Sequence, residues 1–194
     1  MKSIFIIGIW MLIFLSSLVL IPKGTNFLIR MIFIWLTLNS IICIYELIVL
    51  MNRKQICNNQ QLNFWKKEYK FKESLGSKFW IDGWSEYSKF DPRYCNSSNY
   101  IYLVEFGNII FTFIPFVIMI GYLLSNHFDI HKIPKWAFKL LLISSCIQLT
   151  LTSIYLTSGI KTYNSKYNSY LIFNLPWIIM PIVTIYWSYK IITI

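Results

Sequence analysis

The sequence predicts an all-α, polytopic membrane protein: a five-helix bundle with a cavity that faces one leaflet. Hydrophobic residues make up 56% of its 194 positions, and charged residues only 13%. Apolar runs of about 18 residues or more, which are typical of transmembrane helices, recur along the chain. The Lys and Arg residues behind the net charge of +10 lie between these runs, where they anchor helices and contact lipid headgroups. This placement argues against nucleic-acid binding.

The first predicted span covers residues 4–21, and only two serines interrupt it. A cleaved signal peptide is the alternative, but the run is longer than the usual ~7–15 residues and no small-residue cleavage site follows. We therefore predict a retained first helix, which forms a region 1–25 together with a short Pro-Lys-Gly-Thr turn. The remaining residues, 26–194, form the second predicted region.

The second span is predicted at about 31–51, and a long polar and aromatic loop, 52–99, follows it. The aromatic content of this loop argues against disorder, and its length favours a functional role. We expect it to lie on the membrane surface or over the mouth of a cavity. The later spans are predicted at about 100–124, 136–157 and 169–189. Small polar residues in the fourth span are assigned to helix packing.

Two carboxylates fall inside spans, where a charged side chain costs about 2.5–3.5 kcal/mol. Glu46 lies five residues before the end of its span, and Glu105 lies five residues after the start of its own. Because spans alternate in direction, these ends share one side of the membrane, together with Asn174 and Trp177 of the fifth span. All four lie roughly 7–12 Å deep, so the spacing predicts one polar pocket beneath the long loop. The alternative is that each Glu reaches separately to the interface.

Such a pocket suits proton transfer on a lipid-soluble substrate. Two neighbouring buried carboxyls do not both ionise, so one can donate a proton and the other can accept one. An indole face can stabilise a passing cation. Nothing in the sequence suggests a nucleophile, a phosphate-binding loop, a metal or a redox cofactor. The same pocket would bind a cationic amphiphile without catalysing a reaction.

Two motifs and Glu46 resemble the EXPERA-domain family, in particular its emopamil-binding protein (sterol Δ8–Δ7 isomerase) branch. The second motif, in the last span, is Asn174-x-x-Trp177-x-x-x-Pro181. The first motif precedes the third span and reads Trp84-x-Glu86-Tyr87-Ser88-Lys89-x-Asp91-x-Arg93-Tyr94. Its Arg93 lies twelve residues before Glu105. The resemblance covers about residues 30–190.

The resemblance implies a five-helix bundle in the endoplasmic reticulum membrane, with a sterol cavity open to the bilayer. It also implies isomerisation of a sterol double bond from C8=C9 to C7=C8, without a cofactor. By residue matching, Glu46, Glu105 and Asn174 would be catalytic, and Trp177 would stabilise the carbocation. The other implied substrate-binding residues are Asn108, Tyr87 and Tyr94. The pair Asp91 and Arg93 would order the loop.

One position departs from the family pattern. The family carries a His one turn before the second-helix Glu, and this chain has Ile42 or, with a slip of one residue, Cys43 there. Because some family members bind or move sterols without isomerising them, a non-catalytic sterol or cationic-amphiphile binding protein stays open as the alternative function. The oligomeric state also stays open, a homodimer included.

Two lines of reasoning give opposite membrane orientations. Most Lys and Arg residues lie on the side of the long loop, which the positive-inside rule places in the cytosol. The family resemblance places that loop in the lumen. A lumenal loop would permit a disulfide between Cys57 and Cys95 and glycosylation at the sequon Asn96-Ser97-Ser98.

Overall fold

The computed structural model describes residues 1–95, 99–163 and 174–194. These residues are mainly helical, and their only β pairing is the isolated bridge between Lys2 and Glu68. The helices are α1 Ser3–Ser16, α2 Phe27–Asn58, α3 Ser77–Phe90, α4 Asn99–Asn108, α5 Ile114–Ser125, α6 Lys135–Tyr163 and α7 Pro176–Thr193. A π-helical turn, Ile109–Phe113, joins α4 to α5. The all-α prediction is confirmed.

Among the described residues, four helical segments are long and apolar enough to cross a membrane. They match the first four predicted spans and indicate a multi-pass membrane protein. Within the described residues, α7 does not meet the same criterion, because prolines, tyrosines and Lys190 lower its hydropathy. The rest of the fifth predicted span lies outside the described residues, so the five-helix count stays a prediction. The four segments are Ser3–Leu20, Phe27–Asn58, Tyr100–Ser125 and Lys135–Gly159.

The chain divides into two compact units, and both α2 and the helix 99–125 contribute to each of them. The first unit comprises Met1–Leu20 and Ile42–Phe106, and the second comprises Ile21–Ile41 and Gly107–Ile194. The predicted regions 1–25 and 26–194 stay a prediction. Each unit is described below by itself.

In the first unit, α1 packs on the segment that follows α2. Trp10 Nε1 donates a hydrogen bond to Ser74 Oγ at 3.1 Å, and Ser3 Oγ donates to the Phe64 carbonyl at 2.6 Å. These contacts place the start of α1 on the side of the long loop, as the alternation of spans predicts. They also give a retained first helix a packing partner. The buried core of this region comprises Ile6, Phe64, Tyr69 and Phe79.

The predicted loop 52–99 contains more helix than expected, which corrects the second span's predicted end at residue 51. Helix α2 continues to Asn58 through a kink at Asn52, whose backbone is non-helical (φ −125°, ψ 23°). The Asn52 side chain donates to the Ile48 carbonyl at 2.8 Å, and local amide bonds of this kind compete with the helix ladder. Cys57, expected in the loop, therefore lies in the last turn of α2. Helix α3 also falls within the predicted loop.

In the second unit, α6 and α7 pack side by side, with the rings of Phe138 and Trp187 5.3 Å apart. The π-helical turn precedes Pro115, which has no N–H to donate to the Phe111 carbonyl. Ser144 of α6 donates to that carbonyl instead, at 2.7 Å. Proline therefore explains both the irregular turn and one polar contact between helices. Such turns are frequent at functional sites.

Candidate functional site

Glu46 and Glu105 are both buried within the first unit, with 5% and 8% of their surfaces exposed. Their carboxyl groups are hydrogen-bonded to each other. Helix α2 presents Glu46 twelve residues before its end, and α4 presents Glu105 six residues after its start. The two residues are therefore side by side rather than turned separately towards the interface. A hydrogen bond between two carboxyls needs a proton on one of them, because a carboxylate can only accept.

The hydroxyl of Tyr94 donates a hydrogen bond to Glu105 Oε1. Only 2% of Tyr94 is exposed, and its ring lies 5.6 Å from the rings of Trp84 and Tyr87. Burial first, and then the negative charge of Glu105, raise the pKa of Tyr94 well above its ordinary value. The phenol therefore stays protonated and remains a donor at neutral pH.

Tyr94 is held by its neighbours along the chain. Arg93 contacts Asp91 through two bonds, Nε to Oδ1 at 3.0 Å and Nη2 to Oδ2 at 2.8 Å, and both residues are buried. Tyr102 donates from its hydroxyl to the Tyr94 carbonyl at 2.7 Å. The pairing of Asp91 with Arg93, expected from the sequence, is confirmed. It fixes the short turn that aims the Tyr94 ring at Glu105.

A disulfide joins Cys57 at the end of α2 to Cys95, the residue after Tyr94. It ties the helix that carries Glu46 to the turn that carries the tyrosine. The sequence left this pairing open as one that a lumenal loop would permit, and the sequon at Asn96 lies outside the described residues. The two cysteines outside this disulfide are Cys43, which is buried, and Cys146, which is exposed.

Another buried carboxylate in this unit, Asp82, was missed by sequence reasoning, because it lies in the predicted loop and not in a span. It accepts from Lys67 Nζ at 2.7 Å, Tyr69 Oη at 2.7 Å and Asn59 Nδ2 at 3.2 Å. Burial, followed by the bond to Asp82, raises the pKa of Tyr69. Asp82 borders a polar cleft of about 440 Å³ that does not include Glu46 or Glu105. Its three partners identify Asp82 as a residue that orders the loop.

The other predicted site residues belong to the second unit. Asn174 and Trp177 are half-buried at the start of α7, and Asn108 is buried at the end of α4. The Trp177 ring meets the Trp35 ring edge to face, with centroids 5.6 Å apart. Asn108 lies within a network in which Gln148 Nε2 donates to Asn39 Oδ1 at 2.7 Å and approaches Asn108 Oδ1 at 3.5 Å. The structure thus groups four of the seven predicted residues, Glu46, Glu105, Tyr87 and Tyr94, in one unit.

Sequence reasoning missed two features of these sites. Tyr94 was expected to line a cavity, but it bonds directly to Glu105. Gln148 was assigned to helix packing, yet it is the central donor of a buried amide network. Gln148 could have been found from the sequence, because an amide side chain inside an apolar span is rare. Such a side chain is costly to bury without a hydrogen-bond partner. No family model, curated protein or solved structure matches this chain.

Proposed function

We propose that the chain is a sterol Δ8–Δ7 isomerase-like protein of the endoplasmic reticulum membrane, in which the carboxyl pair moves a sterol double bond. The observation that carries this proposal is the buried contact between Glu46 and Glu105, with Tyr94 as a third member. The motifs that resemble the EXPERA-domain family supply the reaction. A five-helix bundle with a cavity open to the bilayer is part of the proposal.

We propose different roles for the two carboxyls. Glu105 accepts from the Tyr94 hydroxyl, and bonds donated to a charged acceptor are the stronger ones, so we take Glu105 as the carboxylate of the pair. Glu46 is then the protonated partner. In the proposed reaction, Glu46 gives its proton to C9 of the C8=C9 double bond, which leaves a cation at C8. Glu105 removes a proton from C7, and the electrons of that C–H bond form C7=C8.

The proton count balances over the reaction, since one proton is donated and another is removed. The pair ends with its proton on Glu105 instead of Glu46, and transfer across their mutual hydrogen bond resets it. No cofactor is consumed. The roles of Asn174 as a positioning residue, and of Trp177 as the group that stabilises the cation, rest on the resemblance alone.

Conversion of a Δ8-sterol to its Δ7 isomer tests this proposal. Cells that lack their own sterol isomerase would express the wild-type chain, Glu105→Gln, or the matched control Glu73→Gln, an exposed carboxylate of the loop. We expect the wild type and Glu73→Gln to convert the sterol, and Glu105→Gln to lose conversion. Unchanged turnover in Glu105→Gln would refute the assigned role.

A second function is favoured by residues 42 and 43. The family's His is replaced here by Ile42 or, with a slip of one residue, by Cys43, which is buried. The chain's two histidines, His127 and His131, lie in the turn between α5 and α6. A protein that binds sterols or cationic amphiphiles without turnover would use the same carboxyl pair. Saturable binding of a cationic amphiphile with no sterol conversion would select this alternative, and activity gained by Ile42→His would identify a repurposed isomerase.

A further inference from the structure

Within the described part of the second unit, four side chains carry a buried polar atom without a hydrogen-bond partner. Three of them are the indole Nε1 of Trp35, the hydroxyl of Ser145 and the amide Oε1 of Gln148, and these side chains are at most 3% exposed. The fourth, the Ser188 hydroxyl, lies eleven residues beyond Trp177 on α7, about 16 Å along the helix from the contact with Trp35. An unpaired polar group is costly in a membrane helix, where no bulk water reaches it. The three atoms on α2 and α6 therefore indicate an occupant that can hydrogen-bond.

The amide network fixes which atom of Gln148 is left over. The Asn39 Nδ2 donates to the Thr112 hydroxyl at 3.4 Å, so Asn39 Oδ1 is the acceptor that faces Gln148. Gln148 Nε2 must therefore be the donor in the 2.7 Å bond between these two amides. Its oxygen is then the atom that remains available to accept a hydrogen bond.

The other two atoms lie one helical turn from this bond. Trp35 precedes Asn39 by four residues on α2, and Ser145 precedes Gln148 by three on α6, so each shares a helix face with its neighbour. The second and fourth spans run in the same direction, so Trp35 and Ser145 lie at similar depth. Edge-to-face contact with Trp177 holds the Trp35 indole. A fixed donor, a fixed acceptor and a rotatable hydroxyl are therefore carried on the helix faces that meet at the bond between Asn39 and Gln148.

Other polar residues of α6 show what a packing role looks like. Ser144 bonds to the Phe111 carbonyl, and Thr150 and Ser153 bond to carbonyls of their own helix. Ser145 and Gln148 Oε1 have no such partner. Helix α6 therefore carries two kinds of polar residue: those whose hydrogen bonds are made within the protein, and those with a donor or acceptor that has no partner.

We infer that Trp35, Ser145 and Gln148 form a binding site for the hydroxyl group of an uncharged, membrane-soluble alcohol. Gln148 Oε1 accepts the proton of that hydroxyl, and Trp35 Nε1 donates to its oxygen. A hydroxyl offers one donor and two acceptor positions, which the amide oxygen, the indole and Ser145 can occupy. None of the three side chains carries a charge, so a neutral ligand group fits them. The inference deepens the proposed function, on which it rests only for the choice of a sterol as the first ligand.

Competition binding to the full chain in lipid nanodiscs tests the inference. The probes are cholesterol and hexadecanol, each compared with its own methyl ether, which cannot donate to Gln148. We expect each alcohol to bind about three- to tenfold more tightly than its ether, the range of one neutral hydrogen bond. Gln148→Met should weaken binding of the alcohols and remove the preference, whereas Ser145→Ala should weaken binding of alcohol and ether alike and keep the preference. Ser153→Ala, on the exposed face of α6, should leave both unchanged.

The outcomes separate the two ideas. Equal binding of alcohol and ether by the wild type, a preference retained in Gln148→Met, or alcohol binding left unchanged in Ser145→Ala would mean that water occupies the site and would overturn the inference. Binding of hexadecanol with the preference, but none of cholesterol, would uphold the inference and count against a sterol function. No binding of either alcohol would refute both. Ser145→Ala removes only an unpartnered hydroxyl, so it keeps the test informative should Gln148→Met not fold.

Discussion

Replacing Tyr94 with Phe removes one oxygen atom from the buried carboxyl site and leaves the ring packing in place. The lost atom donates to Glu105 Oε1, and both residues are nearly inaccessible to solvent. A hydrogen bond to a charged acceptor contributes about 1.5–3 kcal/mol, and removing the donor takes one partner from the buried carboxyl of Glu105. We therefore expect Tyr94→Phe to lower the free energy of unfolding by about 1.5–3 kcal/mol.

A double-mutant cycle with Glu105→Gln assigns that loss to the contact itself. The amide still accepts a hydrogen bond but carries no charge, so Tyr94→Phe should cost only about 0.5–1.5 kcal/mol in the Glu105→Gln background. Denaturant or thermal unfolding of the four proteins in one detergent measures the difference. Tyr189→Phe is the control, since Tyr189 is 60% exposed on α7. Equal losses in both backgrounds would show that the bond to the carboxylate is not what stabilises the turn.

The pH dependence of stability provides a second readout for the same variant. The pKa of Tyr94 is raised in the folded protein, so its contribution is fully present below pH 10, the ordinary value of the phenol. As pH rises above about 10, the unfolded chain releases the proton before the folded chain does, and stability falls. Tyr94→Phe should make this alkaline loss shallower, although Tyr69 retains its share. Identical slopes for wild type and variant between about pH 9 and 11 would contradict the buried, protonated phenol.

Three further predictions concern the surroundings of the site. Arg93→Met should destabilise the fold by about 3–5 kcal/mol, because the buried carboxylate of Asp91 loses the guanidinium that neutralises it. Asp91→Asn in addition should recover part of the loss, and unfolding midpoints measure both. Cys57→Ser should lower the free energy of unfolding by about 2–4 kcal/mol, since the disulfide joins residues 38 positions apart in the sequence. If the oxidised wild-type chain exposed four reactive thiols after denaturation, rather than two, the bond would be contradicted. Lys67→Met should lower the unfolding midpoint, since Asp82 keeps only its two neutral donors, Tyr69 and Asn59. A midpoint equal to that of the exposed control Lys66→Met would count against the role of Asp82 in ordering the loop.

Helix type and position were predictable because each apolar run is long and each polar residue inside it is conspicuous. Glu46 and Glu105 were expected to meet from their depth alone, and they do. The helical content of the long loop was not predictable from hydropathy, because α3 buries a narrow stripe of apolar and small polar residues, such as Phe79, Ile81 and Ser85. Part of its partner surface comes from α1, which is distant in sequence.

The hydrogen bond from Tyr94 to Glu105 could not be predicted from the sequence, for a different reason. Its direction depends on a turn set by the Asp91–Arg93 pair and on the disulfide next to it, and both are tertiary features. The continuation of α2 past Asn52 shows the same limit, because a polar residue resembles a span end even where the helix goes on. Unpaired atoms such as Gln148 Oε1 emerge only when every donor and acceptor nearby has been paired.

The disulfide also bears on the membrane orientation of the chain, on which the positive-inside rule and the family resemblance disagree. Positive-inside bias reflects a preference during insertion and is counted over loops of up to about 60 residues, this loop included, whereas disulfides form and persist mainly in oxidising compartments. Cys57 and Cys95 bracket the segment of the long loop that the structure describes, so their bond favours the oxidising side for the whole of it. Tyr94 lies beside Cys95, and Glu105 lies six residues inside α4, about 9 Å deep at the helical rise. With the loop on the oxidising side, the carboxyl pair would lie in the adjacent half of the membrane, where a proton entering the pair from that side has the shorter path.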